Sequence, residues 1–398
     1  MGEVVKSFTL LAGAEEPSVR ALPPFSDGVM EFLDALSRKI RAAGSGGEPE
    51  IAAFGFWCRR AHLLELKQRR AYGPYRLGRG LTFHVAPANV PALFAYSFAA
   101  GLLAGNANIV RVSQRAGPVT ARLCALFRDT LAEARFAALR ETNAILACDR
   151  SSPYVEALMA RCDTAVVWGG DATVQALQRF PTKPGAEFLA FPDRRSMAFI
   201  SQKALEKADG DTFRACVRGF YNDTYAMDQN ACSSPRLVLW LRDGDDGVRE
   251  RFWAALSEEA ARRGYPSDAY RAARKYETAC LAAMTEPAVG GVRRYGGNLL
   301  YVLPLKGSLQ DPDAPGGAFG LFYEAEAEGI DGLAPFLTEK LQTLVCFGID
   351  RPALAAYLTE RGGRGVDRIV EIGRAAAFDP VWDGKDLIAR LSREICVP

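Results

Sequence analysis

The sequence predicts an α/β protein, with a doubly wound parallel sheet followed by a second α/β domain. Three observations predict this. Between residues 81 and 200, short apolar β-type runs alternate with helical stretches, the pattern of strands joined by crossover helices. After about Glu206 the alternation resumes. The chain's 398 residues also exceed one ordinary core, at roughly 150 residues per domain. The expected division is residues 1–205, 206–364 and a C-terminal segment, 365–398, that packs back on the first domain.

Taken in order, Phe32, Leu33, Leu36 and Ile40 form a helical stripe after Asp27. A Gly/Ser-rich break at Ala43–Glu50 precedes a second helical stretch over about 51–72. Leu81–Val85 is the first strand of the series. A helix from about Val90, the strand Asn108–Val112 and a helix striped by Leu123, Leu126, Phe127 and Leu131 follow. Then come the strand Ala144–Ala147, a helix near 153–161, the strand Ala165–Trp168 and a helix after Gly170. The strand Met197–Ile200 closes the first series. Arg236–Trp240 and Leu299–Leu303 are the clearest later strands, and Gly307–Gly320 reads as a Pro/Gly-rich loop. A helix striped by Leu387, Ile388, Leu391 and Ile395 is expected at the end.

Composition narrows the function. Lys+Arg 49 against Asp+Glu 47 gives +2, too little field to attract nucleic acid or anionic lipid. The most apolar stretch, Val90 to Gly105, is shorter than the ~20 residues of a membrane span. The N-terminus carries no signal-peptide pattern, and Lys6 stands where a myristoylation site needs Ser or Thr. Nine cysteines, none in a C-x-x-C pair, and two histidines disfavour a disulfide framework and a zinc site. A reducing, cytoplasmic setting is the expectation.

Three segments could carry chemistry. In Ala86–Arg115, Asn89 precedes Pro91; it either caps the following helix or donates its amide into a cleft at the strand's end. In Thr164–Leu177, a strand runs into Gly169-Gly170 and a helix, whose N-terminus offers N–H groups to a phosphate. No G-x-G-x-x-G is present. In Asp228–Trp240, Cys232 lies among small polar residues just before a β-run. By residue type alone it is one cysteine among nine. A nucleophilic thiolate needs exposure and positive potential. His84 reads as a packed or hydrogen-bonded strand residue; Asp228 and Glu187 stay undecided.

Together and in this order, these segments resemble the aldehyde dehydrogenase superfamily, and within it the LuxC acyl-CoA reductases. Pro87-Ala88-Asn89-Val90-Pro91, Gly105-Asn106 and Arg111-Val112-Ser113-Gln114 match the superfamily's P-[WY]-N-[FY]-P element, Gly-Asn turn and K-P-S-E strand end. Gly169-Gly170 matches its Gly-Ser turn, and Cys232-Ser233-Ser234 its cysteine motif. Trp168-Gly169-Gly170-Asp171, Leu341-Gln342-Thr343, Gly365 to Gly373 and Trp382-Asp383-Gly384 are similar to LuxC phrases.

The resemblance implies an aldehyde-dehydrogenase-like fold and NAD(P)H-dependent reduction of an acyl thioester, on CoA or an acyl carrier, to an aldehyde. It implies Cys232 as nucleophile and Asn89 as oxyanion donor. Pro87, Arg111, Ser113, Gln114, Gly169 and Gly170 would meet the cofactor. Where hydrolytic relatives carry a general-base Glu, Phe191 stands here, with Glu187 upstream as the fallback in another register. Gln114 in place of the family's Glu, with Arg111 and Arg115, favours NADPH while leaving NADH possible. An acyl-transferring partner protein and a homo-oligomer are further expectations. The alternatives are aldehyde oxidation, acyl-phosphate reduction, or a non-catalytic acyl-transfer partner subunit.

Overall fold

The computed structural model describes residues 8–44, 48–70, 72–87 and 89–397. The chain divides into two compact units: Met1–Pro192 with Phe378–Pro398, and Asp193–Ala377. The sequence predicts these boundaries at about 205 and 364. The strand expected to close the first sheet, observed as Arg195–Ser201, pairs instead with Pro235–Leu241 and Leu341–Phe347 of the second. Nothing in its own apolar run distinguishes the two sheets.

The first unit holds a six-stranded sheet in the order Thr9–Gly13, Asn143–Ala147, Ala107–Val112, Leu81–Val85, Thr164–Trp168, Glu187–Phe191. All neighbours are parallel except the first pair. The chain order reverses between Leu81–Val85 and Thr164–Trp168, which sets a topological switch point at their carboxyl ends. The two strands are buried at every residue, as expected of a sheet covered on both faces.

The helix Leu93–Leu103 is apolar almost all round and correspondingly buried. It can approach the sheet because position 101 lacks a side chain. A Cβ on Gly101 would lie 2.1 Å from Asn108 Oδ1. The turn that follows needs Gly105, at φ 89°, where a Cβ would meet the Leu22 carbonyl at 1.9 Å. Asn106 then ties the turn down, accepting from the Gly80 N–H at 3.1 Å and donating to the Leu391 carbonyl at 2.8 Å.

Three local expectations are corrected. The stretch 51–72 is two helices, Pro49–Trp57 and Arg60–Arg69, parted by extended backbone at Arg59. The final helix is a single turn, Leu387–Arg390. Beyond it, Ser392–Glu394 pairs antiparallel with Arg76–Gly78, so ladder hydrogen bonds replace the helical stripe. The helix after Pro91 begins at Leu93 with Ala92 in the cap position, so Asn89 does not cap it.

The second unit holds a seven-stranded sheet in the order Arg293–Tyr295, Leu300–Pro304, Leu321–Ala327, Pro235–Leu241, Arg195–Ser201, Leu341–Phe347, Arg368–Glu371. It is parallel apart from Arg293–Tyr295. Strand alternation divides its residues between two cores. Ala198 and Ile200 join Phe220, Phe252 and Trp253 on one face. Met197 and Phe199 join Tyr301, Leu344 and Leu354 on the other. Among the described residues, no helix is long and apolar enough to cross a membrane.

Candidate active site

In the first unit, the expected cofactor residues follow three adjacent strands at their carboxyl ends. Half-buried Pro87 and exposed Asn89 follow Leu81–Val85, Ser113 and Gln114 follow Ala107–Val112, and Gly169-Gly170 follows Thr164–Trp168. Gly170 opens the helix Asp171–Gln178, and a Cβ there would meet nothing within 4 Å. The helix start is therefore open to a phosphate, which its first N–H groups favour. Arg150, outside the sequence-derived set, donates to Thr173 Oγ1 in that first turn. Arg111 departs from expectation: it is 7% exposed, with its Nε donating to the Cys148 carbonyl at 3.0 Å. Gln114 and Arg115 are the exposed groups at that edge.

His84 is fully buried beneath this edge. Trp168 Nε1 donates to Ser97 Oγ at 2.9 Å, and the Ser97 hydroxyl faces His84 Nδ1 at 2.8 Å. His84 Nε2 faces Asn108 Oδ1 at 3.0 Å, while Asn108 Nδ2 donates to Asn143 Oδ1 at 2.8 Å. Asn108 Nδ2 is committed as a donor, so its Oδ1 accepts from His84 Nε2–H. Burial pulls the His84 pKa from 6.5 to about 4, and the Asn108 hydrogen bond works in the opposite sense. His84 is a packed strand residue, as expected.

Phe191 stacks on Trp168 with ring centroids 3.8 Å apart and is buried. Glu187, the fallback base, sits at the other end of the same strand, paired with Arg79 at 2.9 Å and with Arg390. The family's base position is therefore aromatic, and the next carboxylate along the chain is the exposed Asp193.

Burial separates the nine cysteines of the two units. Cys58, Cys124, Cys148, Cys162, Cys216 and Cys346 are buried, and desolvation pushes each thiol's pKa up, to about 12 at Cys124, Cys216 and Cys346. Such thiols are inert. Cys232 and Cys280 are half-buried, and Cys396 is exposed. Cys280 lies on the helix Ala269–Thr285 and Cys396 near the chain end. Cys232 lies in the turn before Pro235–Leu241, at the amino edge of a parallel sheet. The carboxyl-edge rule therefore locates the Gly-Gly turn but not this cysteine.

The turn is held by its neighbours. Asp228 and Gln229 are both left-handed, at φ 53° and 57°, which is unfavourable for residues with a Cβ. The buried Gln229 amide offsets this by standing in for a strand. It donates to the Pro235 and Leu321 carbonyls and accepts from the Gly320 and Leu321 N–H groups. Asp228 accepts from Tyr265 and pairs with Arg271 at 3.0 Å, so it anchors the loop. Ser196 Oγ donates to the Cys232 carbonyl at 2.8 Å.

Three further residues converge on the sulfur. Thr343 pairs with Ser196 on one side and with Arg368 on the other. The register skips Gln342 as it passes from Leu341 to Thr343, and such a bulge re-aims a side chain. Gln342 Nε2 donates to Cys232 Sγ at 3.2 Å, and its Oε1 accepts from Thr343 Oγ1 at 3.2 Å. Arg368 Nη1 reaches Thr343 Oγ1 at 3.5 Å and also donates to the Ala375 carbonyl. The dipoles thus run from a guanidinium through a hydroxyl to an amide N–H directed at sulfur. Gln342, Thr343 and Arg368 stand in LuxC-like phrases, but sequence spacing assigned them no role. Among the described residues, no group of His, Cys, Asp and Glu could hold a metal ion.

The arrangement is that of the aldehyde dehydrogenase fold. A lactaldehyde dehydrogenase superposes with a TM-score of 0.62 at 14% identity, covering 93% of this chain and 86% of the other. A Thermus 1-pyrroline-5-carboxylate dehydrogenase with bound NAD gives 0.61 at 14%, covering 94% and 81%. An NAD-dependent benzaldehyde dehydrogenase from Corynebacterium glutamicum gives 0.58 at 14%, covering 94% and 85%. No curated protein sequence matches. The acyl-CoA reductase (LuxC) family matches residues 59–279, more than half of the chain, and the protein belongs to that family.

Proposed function

We propose that the protein reduces an acyl thioester, carried by CoA or an acyl carrier, to an aldehyde through a Cys232 acyl-enzyme. The observation that carries this reading is the half-buried Cys232 sulfur with a polarised amide N–H 3.2 Å away, where six other cysteines are buried. The Gln342 N–H favours the thiolate over the thiol.

Cys232 thiolate attacks the thioester carbonyl carbon and forms a new C–S bond. The carbonyl electron pair moves onto oxygen, where the Cys232 backbone N–H and the Asn89 side-chain amide are proposed as donors. The pair then returns, the C–S bond to CoA breaks, and CoA thiolate leaves. When bound, a reduced nicotinamide supplies a hydride to the acyl carbon. The resulting thiohemiacetal collapses, expels Cys232 thiolate and releases aldehyde.

Gly169, Gly170 and Arg150 would hold the pyrophosphate, and Pro87, Ser113, Gln114 and Arg115 would lie near the ribose. The buried Arg111 supports the strand end. NADPH remains favoured through the exposed Arg115 and the missing carboxylate at Gln114. Phe191 packed on Trp168 supports reduction over hydrolysis, because the position of the family's general base holds a buried ring in place of a carboxylate.

Intact-mass measurement after incubation with acyl-CoA, without reductant, tests the reading. A mass increase of one acyl group, mapped to Cys232 and absent in Cys232→Ala, is expected. NADPH consumption undiminished in Cys232→Ala, or an adduct on another cysteine, would overturn it.

A further inference from the structure

The amino edge of the second sheet also carries a small cavity of about 30 Å³ that the proposed chemistry does not use. Its lining includes the guanidinium residues Arg195 and Arg236 and the apolar side chains Met197, Leu237, Phe336 and Leu341. Strand geometry brings the two arginines together. Arg195 opens its strand, and Arg236 is skipped between the pairs Ser196–Pro235 and Met197–Leu237. This second bulge lets Arg236 share the cavity with Leu237, its neighbour in sequence.

One of these cations, Arg195, is incompletely satisfied. Arg195 Nε is buried without a hydrogen-bond partner, although Nη1 reaches the Pro315 carbonyl at 3.3 Å. Burial and the adjacent Arg195 both disfavour charge on Arg236, while Asp193 and Cys232 act in the opposite sense. The lining carboxylate, Asp313, accepts from the Thr338 hydroxyl at 2.6 Å. An orphaned buried N–H on one guanidinium, with a second guanidinium residue lining the same cavity, calls for an anion. The cavity has room for only a few water molecules, so only the charged head of a ligand can enter it. The apolar walls suit a carboxylate on a hydrocarbon stem better than a strongly hydrated phosphate.

We propose that the Arg195–Arg236 cavity binds the carboxylate of an acyl group that is charged at its far end, an ω-carboxyacyl thioester. The substrate class rests on the proposed function. The cavity and the nucleophile's loop share Ser196, which lines the one and hydrogen-bonds the other.

Calorimetry at low salt with butyrate and with inorganic phosphate as probes tests the site without turnover. Butyrate should bind more tightly than phosphate. Arg236→Met and Arg195→Met should each weaken it by about tenfold or more, and Arg236→Lys should restore part of the loss, with folding checked by circular dichroism. Tighter phosphate binding, no binding of either probe, or butyrate affinity unchanged in both methionine variants would each overturn the proposal. A second arm compares glutaryl-CoA with pentanoyl-CoA by NADPH consumption. Preference for glutaryl-CoA that is lost in Arg236→Met is expected, and equal use of the two would overturn the substrate class. If neither thioester is reduced, the proposed function fails, and calorimetry still decides whether the anion site exists.

Discussion

Replacing Gln342 with Leu removes the N–H directed at the Cys232 sulfur while keeping a side chain of similar size. Hydrogen bonds to charged groups contribute about 1.5–3 kcal/mol, and one pKa unit corresponds to about 1.4 kcal/mol. The Cys232 thiol pKa should therefore rise by about 1–2 units, and alkylation near neutral pH should slow about 10- to 100-fold. Thr343→Val retains the N–H but loses the hydroxyl that orients it. A smaller shift in the same direction is expected. Arg368→Lys keeps a cation at the head of the chain and should approach the wild-type profile. The assay is iodoacetamide labelling against pH, followed by peptide mapping, since Cys280 and Cys396 are also accessible. It requires neither substrate nor cofactor. An unmoved midpoint in Gln342→Leu, with the fold intact, would refute the assignment of this amide to the thiolate.

Further outcomes concern both units. Asn89→Ala should lower the rate of acyl-enzyme formation about 100- to 1000-fold, read by quenched mass spectrometry, with little change in thermal stability because Asn89 is exposed. Gly101→Ala sets a methyl 2.1 Å from Asn108 Oδ1 and 2.9 Å from His84 Nε2; a loss of about 1–3 kcal/mol is expected from urea unfolding. His84 has a folded pKa of about 4 against 6.5 unfolded, so protons bind preferentially to the unfolded chain. Its contribution is complete above pH 6.5 and is lost as pH falls toward 4. The loss at pH 5 should be about 2 kcal/mol, and His84→Gln should lack this component. Asp223 behaves with the opposite sign. Desolvation raises its carboxyl from 3.8 to about 7, against the Gly373 and Ala375 N–H groups. Its contribution is complete below pH 3.8 and is lost as pH rises through 7, a trend that Asp223→Asn should flatten in the same unfolding series.

Local pattern made much of the fold legible. The parallel strands of the first sheet are near-continuous apolar runs, which is why Leu81–Val85 and Thr164–Trp168 could be read directly. Glu187–Phe191 was missed: it begins with a charged residue, and two of its five residues are buried. The final helix was misread because Leu387, Ile388 and Leu391 suit a helical stripe, whereas the following residues pair with Arg76–Gly78 some three hundred residues away in sequence.

The same contrast holds at the candidate site. Sequence alone determined the α/β class, the family resemblance, the Gly169-Gly170 turn and the set of cysteines from which Cys232 stood out. These properties reside in neighbouring residues or in ordered short phrases. Tertiary structure alone decided that six thiols are desolvated, that Arg111 is buried and that Met197–Ile200 belongs to the second sheet. It also decided that Gln342 points at a sulfur 110 positions earlier in the chain. Burial depends on what packs from elsewhere, and the aim of Gln342 and Arg236 depends on bulges in strand register. A bulge exists only once two strands are paired, so one strand's sequence does not contain it.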